Sequence, residues 1–470
     1  MDQSFTRRQV LVGVGALLAL SGCSREPGSV NYSVKDVTAT KPFYIAHRGS
    51  GDNWTEHTAV SYSQAVSHGL NAIEVSVHAT SDGVLVCHHD PSTLRMTGTG
   101  LTIADVTFAE LQTLRNDARQ WLGPAAPLLP IPRLKDVLDA HAATHIIFIE
   151  DKTGKNLVPI TDLMKTYPKP TDHFIWKQPA NSASYLKARA MGFKTWGYFT
   201  PEFFGTFDRY AKNFDMVGIY SSATDAQVTA LVSHGKPVIC WEVHNRSTRD
   251  RMVRLGVQIM MCSNVEYVMS DRPLNTSDTF STGLRASGDL PWTFDRAWSV
   301  QPTLQPETAS IRIDDADTAS YSMGSMGPIS EASYSIHCAF RWPDPGFLPT
   351  QHVGMAFGQE NDSPYRVQKT SDVGGYHLTV SPSGELALYR RAPGEIDGTQ
   401  LASISTTPVQ PGIWTELSVA VASSGITFSR TDGNFQQGFA PDATYRGGYF
   451  SLGKNYPGGP PVEFKSVNVS

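Results

Sequence analysis

The sequence predicts two folded parts: an α/β part that closes as a (β/α)8 TIM barrel, followed by an all-β sandwich of the jelly-roll kind. Three observations carry this. Between Lys41 and Leu274, short β-rich runs alternate with helix-like stretches, the pattern of a parallel sheet with right-handed crossovers. About eight such strands in ~230 residues suit a closed barrel better than an open doubly wound sheet. After Pro273 helical periodicity disappears and period-two alternation takes over, as in antiparallel strands. With 470 residues the chain is long enough for several domains, and 40% hydrophobic against 18% charged residues excludes wholesale disorder. A net charge of −5 argues against a general nucleic-acid binder.

The N-terminus reads as an address. Arg7 and Arg8 precede an uncharged run, Val10 to Leu20, that covers only about half of a ~30 Å bilayer core. Thr6-Arg7-Arg8-Gln9-Val10-Leu11 resembles a twin-arginine export motif, and Leu20-Ser21-Gly22-Cys23 resembles a bacterial lipobox. The expectation is a signal peptide over 1–23 and a polar tether over 24–40, with the protein exported and held at the membrane by a lipid anchor alone, or secreted. Barrel strands are expected at Phe43–His47, Asn71–Val77, His145–Glu150, His173–Lys177, Phe193–Tyr198, Asp215–Tyr220, Pro237–Trp241 and Val257–Cys262, with Val84–His88 as a hairpin partner. Helices are expected at Thr58–His68, Phe108–Leu114, Leu134–Ala143, Ser182–Met191, Ala226–His234 and Thr248–Leu255. Gly69, Gly192, Gly235 and Gly256 each end one. Cys87, Cys240, Cys262 and Cys338 sit inside apolar runs and read as buried thiols, not as a zinc site or disulfides.

A linker follows over 275–295, and the sandwich over 296–470. Its alternation is plain in Ser333–Phe340, in Tyr376–Val380 and Leu386–Arg390 flanking the turn Ser381-Pro382-Ser383-Gly384, and in Trp414–Val421, Ile426–Arg430, Tyr449–Leu452 and Val462–Val469.

Within the barrel, polar residues gather at the C-terminal ends of strands, where catalytic groups belong. His47 and Arg48 end strand one. Glu74, Ser76 and His78 share a face of strand two, and His89-Asp90 ends the hairpin. Glu150 and Lys152 end strand three, Lys177 ends strand four, and Trp241 to His244 end strand seven. Polar groups on an inward strand face are costly unless they meet each other or a ligand.

At these residues the sequence resembles the glycerophosphodiester phosphodiesterase family. The matching pieces are Ala46-His47-Arg48-Gly49, Glu56-His57-Thr58, Ile73-Glu74-Val75-Ser76-Val77-His78, Thr80-Ser81-Asp82-Gly83, Val86-Cys87-His88-His89-Asp90 and Ile149-Glu150-Asp151-Lys152. Their order and spacing match too, with His89 42 positions and Glu74 27 positions after His47. The resemblance implies a TIM barrel that cleaves a small-molecule phosphodiester, or a glycerol-phosphate polymer of the envelope, to glycerol phosphate and an alcohol. His47 and His89 suit general acid and base work, and Arg48, with Lys152 beside it, suits binding of the phosphate oxygens. The implied cofactor is one divalent cation, Ca²⁺ or Mg²⁺, on Glu74 and Glu150. Glu56, Ser76, Lys177 and Trp241 are expected to contact substrate or support the site. In the family the substrate's own glycerol hydroxyl attacks, giving a cyclic phosphate that water opens.

Two departures bear on the metal. The family's Glu-x-Asp on strand two has Ser76 in place of the aspartate, and its last-strand Thr-Asp-x-Pro aligns with Cys262-Ser263-Asn264-Val265 or, under a shifted alignment, with Ser270-Asp271-Arg272-Pro273. A serine is a much poorer ligand for a hard cation than a carboxylate, so a weakened metal site, a metal-independent variant and a barrel that only binds all follow as readings. His57, His78 and His88 read as structural, Asp90 as fixing its loop, and Asp151 as lying outside the mouth. The C-terminal half loosely resembles concanavalin-like jelly-roll modules, through Gly412-Ile413-Trp414-Thr415-Glu416-Leu417 and Gly447-Gly448-Tyr449-Phe450-Ser451-Leu452. It is expected to be an accessory module, either structural or binding carbohydrate through Trp342, Tyr376 and Tyr389. The alternatives to this reading are a non-catalytic barrel with a lectin-like module that binds envelope carbohydrate or phosphate and, still enzymatic, a phospholipase D-like lipid phosphodiesterase. A monomer is expected.

Overall fold

The computed structural model describes residues 31–271, 275–285, 302–314, 333–363, 370–456 and 458–470. The expected signal peptide, the start of the tether and residues 286–295 of the linker lie outside them. Nine strands form the first sheet: β1 (Phe43–Ala46), β2 (Ala72–Ala79), β3 (Leu85–Cys87), β4 (Ile146–Asp151), β5 (Phe174–Pro179), β6 (Lys194–Phe199), β7 (Met216–Tyr220), β8 (Val238–Val243) and β9 (Ile259–Cys262). Eight run parallel, and β1 pairs with both β2 and β9, so the sheet closes into the expected barrel. β3 is the antiparallel hairpin partner of β2.

The strands alternate between two cores, as side chains of period two must. Ala72, Ile146, Phe148, Ile175, Trp196, Ile239, Ile259 and Met261 fill the barrel interior, and Ile73, Val75, Ile147 and Ile149 face the helices outside. Above the apolar interior, the same inward columns turn polar at their C-terminal ends: Glu74 and Ser76 follow Ala72, and Glu150 follows Phe148. Interior polarity thus begins where the mouth begins.

The helix-ending glycines Gly69, Gly192, Gly235 and Gly256 have φ of +85°, +88°, +71° and +90°, the left-handed region that favours glycine. Of the helices of eight or more residues among the described residues, Leu157–Met164 alone escapes the sequence reading. Pro159 interrupts its signal, yet stands in the first turn, where a missing N–H costs nothing.

Two boundary expectations are corrected. Residues 31–40 are not free tether: the short helix Asp36–Ala39 buries Val37 completely against the barrel interior, with Tyr32 and Val34 packed beside it. Residues 275–285 are not free linker either, because Phe280 enters the core of the second domain and Ser277 bridges to Asn468.

That domain holds two antiparallel sheets. The first contains β10 (Thr303–Gln305), β11 (Ser310–Ile313), β12 (Tyr334–Arg341), β17 (Thr415–Ala422), β18 (Gly425–Arg430), β19 (Gly438–Ala440) and β21 (Val462–Val469). The second contains β13 (Val353–Gly358), β14 (Gly375–Val380), β15 (Glu385–Arg391), β16 (Thr399–Ser405) and β20 (Gly447–Lys454). Ile336, Leu417 and Phe428 of the first share one core with Met355, Leu378 and Leu452 of the second, which makes the pair a sandwich. Trp342 and Tyr376, expected on a ligand-binding face, are fully buried in that core instead. Their polar tips are satisfied internally, Trp342 Nε1–H donating to Tyr456 and Tyr376 O–H to Asp442. Tyr389 is half-buried.

The domains are joined by a buried carboxylate. Asp362, just after β13, accepts from the backbone N–H groups of Arg246 and Ser247 and from the Tyr267 hydroxyl, at 2.6, 2.8 and 2.9 Å. Arg246 begins the barrel helix Arg246–Arg254, so a residue of the sandwich satisfies the open donors of a barrel helix.

Candidate active site

The mouth is organised by the turn after β1. Arg48, Gly49 and Ser50 have φ of +53°, +81° and +72°. A Cβ on Gly49 would collide with the Ser61 side chain, so only glycine lets this turn pack on helix Ala59–Ser67, where Ser61 completes the capping box with Thr58. The turn aims the backbone N–H of Arg48 at Glu74 Oε2, 2.9 Å away. The buried His47 ring is held through Nδ1 by Ser263 Oγ at 3.0 Å and by Glu242 Oε2 at 3.4 Å. Burial lowers the His47 pKa, with Glu242 opposing.

Around the barrel, strand register sets Ser76 beside Glu150 and Glu150 beside Lys177. The Lys177 ammonium lies between two carboxylates, 2.6 Å from Glu74 Oε1 and 2.8 Å from Glu150 Oε2. Ser76 Oγ donates to Glu74 Oε1 at 3.2 Å, and the Tyr198 hydroxyl to Glu150 Oε1 at 2.6 Å. Lys152 Nζ lies 3.4 Å from Glu150 Oε1. Burial would raise both acids, but Lys177 outweighs it, holding Glu74 well below the ordinary range and Glu150 at about 2. Burial likewise opposes the charge on Lys177, and the two glutamates overcome it. Its ammonium also stands over Trp196 and Tyr198, 5.6 and 5.5 Å from the ring centroids. Trp241 packs edge-on against both rings and Tyr220, part of the wall of the mouth.

His89 comes from the loop after β3. Its Nδ1 is 2.7 Å from Asp90 Oδ1 and its Nε2 3.3 Å from Lys152 Nζ. Lysine only donates, so Nε2 is the acceptor and Nδ1–H donates to Asp90: a neutral imidazole with its lone pair toward the cations. Burial first, and then Arg48, lower its pKa to about 4. Glu56, buried beneath, accepts from Arg48 Nη1 at 3.3 Å and from Arg95 Nη2 at 2.6 Å, while Arg95 Nε reaches Asp90 at 2.6 Å. Glu56 therefore positions the guanidinium. The buried Arg48 Nε–H has no acceptor among the described residues, a donor left for a ligand oxygen.

Behind His47 lies a relay that the sequence reading, singling out only Trp241 from the Trp241–His244 run, does not identify. His244 Nδ1 is 2.5 Å from Asp52 Oδ2, and its Nε2 3.3 Å from Glu242 Oε2. Burial disfavours the imidazolium, but Asp52 and Glu242 prevail and raise its pKa to about 10. Glu242 in turn stays ionised, because His47 and His244 overcome its burial. Tyr198 and Arg95 are the other site residues not anticipated.

The residues read as structural have partners of their own, although the buried His57 Nε2 has none among the described residues. His57 Nδ1 pairs with the Tyr62 hydroxyl at 2.6 Å, His78 Nε2 with the His89 carbonyl at 3.2 Å, and His88 Nε2 with the Ser92 carbonyl at 3.3 Å. Asp151 is taken up by its own loop, accepting from Thr153 and Asn156. Asp90 goes further than fixing a loop, since it sets the tautomer of His89.

Glu74 and Glu150, assigned to a cation, do meet, but around Lys177. Both oxygens of Glu74 and Oε1 of Glu150 accept hydrogen bonds, while the buried Glu150 Oε2 has an ion pair with Lys177 and no hydrogen bond. Ser76 supplies no charge, and no group of three or more His, Cys, Asp or Glu side chains able to hold a metal occurs among the described residues. The donor set does not fit a resident divalent ion.

Residues 47–170 match the model of the Glycerophosphoryl diester phosphodiesterase family. The chain is 24% identical over 238 residues to YhdW of Bacillus subtilis (strain 168), named as a candidate glycerophosphodiester phosphodiesterase, covering 49% of this chain and 97% of that protein. It is 40% identical over 127 residues to the probable glycerophosphodiester phosphodiesterase 1 of Mycobacterium tuberculosis (strain ATCC 25618 / H37Rv), covering 25% of this chain and 45%, less than half, of that relative. Among solved structures, a phosphodiesterase of Oleispira antarctica in complex with the product sn-glycerol-3-phosphate is similar at 19% identity and a TM-score of 0.40, covering 47% of this chain and 93% of that one.

Proposed function

We propose that this chain is a phosphoric diester hydrolase that cleaves glycerophosphodiesters to glycerol phosphate and an alcohol. The observation that carries this reading is the unsatisfied, buried Arg48 Nε–H, set among Lys152 and two imidazoles whose Nδ1 atoms are each held by an acid. Arg48 and Lys152 take the non-bridging oxygens, where the anion's charge must be neutralised. His89 Nε2, an acceptor at rest, takes the proton of the attacking glycerol hydroxyl as the new P–O bond forms. His47, its imidazolium supported by Glu242, protonates the departing alkoxide as the old P–O bond breaks. The roles then reverse while water opens the cyclic phosphate. The family match over 47–170 and the named relatives support the same substrate class.

In this reading the enzyme is an exported, lipid-anchored monomer. The Arg7-Arg8 motif and the lipobox at Cys23 support export and anchoring. The sandwich is an accessory module: two antiparallel sheets over one core support the concanavalin-like resemblance, and the Asp362 junction favours a structural role over sugar binding.

The test is release of glycerol 3-phosphate from glycerophosphocholine, with a glycerol-phosphate polymer as a second arm that separates the two substrate sources. His47→Ala and His89→Ala should each lower kcat/KM by about 10²–10⁴-fold while remaining folded. Turnover indifferent to both histidines would sink the proposal.

A further inference from the structure

We propose that the Lys177 ammonium does the work of a divalent cation, so that this site turns over without metal. The inference rests on the phosphodiesterase reading above and names the site's electrostatic partner.

Three observations carry it. First, the ammonium lies between the carboxylates that a metal would bridge, at 2.6 and 2.8 Å, and register places it in line with Glu150 and Ser76. Second, most of the lone pairs a metal would need are committed: Glu74 accepts from Lys177, Ser76 and the Arg48 N–H, Glu150 Oε1 accepts from Tyr198 and Lys152, and Glu150 Oε2 is ion-paired with Lys177. Third, the ammonium is walled in by Trp196 and Tyr198. Trp196 is itself fixed, because its ring packs so closely on Gly218 that a Cβ there would collide with it. The two rings thus hold one side of the ammonium in place.

Charge closes the argument. Three carboxylates around a dication and two carboxylates around one ammonium carry the same net charge. Serine at 76 with lysine at 177 is then a compensated pair, not a site that has lost a ligand. An ammonium has three donors; one is hydrogen-bonded to Glu74 Oε1, and the ion pair with Glu150 fixes the charge between the two carboxylates. It serves as a fixed point charge, preorganised in a low-dielectric site.

The test uses the full chain and has two readouts. Mn²⁺ is titrated calorimetrically into wild type and Glu74→Gln, and glycerophosphocholine turnover is measured with and without a chelator. The expected result is no binding isotherm that Glu74→Gln abolishes and turnover unchanged by chelator, with a loss of about 10²–10³-fold in Lys177→Met. The exchange Ser76→Asp/Lys177→Ser should acquire one Mn²⁺ site and turnover that chelator now abolishes. Stoichiometric Mn²⁺ binding by wild type that Glu74→Gln removes, or turnover lost to chelator and restored by Mn²⁺, overturns the proposal. If wild type shows no turnover under any condition, the phosphodiesterase reading fails, and the titration still decides whether Lys177 has displaced the metal.

Discussion

A histidine in water changes charge near pH 6.5, but His244 is held between Asp52 and Glu242 and keeps its proton to about 10. Its folded pKa lies above its unfolded one, so its contribution to stability is whole below 6.5 and is lost as pH climbs toward 10. Tenfold tighter proton binding is worth about 1.4 kcal/mol at most, so the effect is on the order of a few kcal/mol. Denaturant unfolding of wild type should therefore show stability falling between neutral pH and pH 10, and His244→Gln should flatten that slope. An unchanged slope would show that His244 is not the buried imidazolium. The same comparison separates two histidines of unlike duty, since His89 is kept neutral where His244 is kept charged.

One turn and one strand end position most of the chemistry. The turn after β1 stands on Gly49, whose positive φ and contact with Ser61 admit no side chain. Gly49→Ala should lower kcat/KM at least tenfold by displacing His47 and Arg48, at a stability cost of about 1–3 kcal/mol. Circular dichroism and turnover measured together would distinguish this from global unfolding. The turn was legible in the sequence, because the Ala46-His47-Arg48-Gly49 piece carries its own signal, and so were the eight barrel strands and the polar ends of β2 and β4. The end of β8 was legible as a polar strand end, but the roles of Glu242 and His244 were not. Glu242 and His244 are polar residues flanking an apolar run, and nothing local tells a strand that continues inward from a loop that begins. Asp52 pairs with His244 across 192 positions, a separation that only barrel closure brings together. Lys177 was legible as a position but not as a partner of Glu74, because the pairing depends on how β2, β4 and β5 stand abreast. Trp342 and Tyr376 were misplaced for a related reason: alternation identifies a face but not which face another sheet will cover.

At the scale of the whole molecule, the three hydrogen bonds received by Asp362 tie the sandwich to the helix that follows β8. Asp362→Ala would leave two helix N-terminal N–H groups and a tyrosine hydroxyl unsatisfied, a loss of about 1–3 kcal/mol. Calorimetry should show the melting temperature falling by several degrees and a single transition splitting in two; one transition at an unchanged temperature would refute the coupling. The junction also bears on how such a chain can be inherited. A domain that merely trails on a linker can be traded between genes like a cassette. Here the barrel borrows the cap of one of its own helices from its neighbour, so a gene that gained or shed the sandwich would have to repair the barrel in the same step.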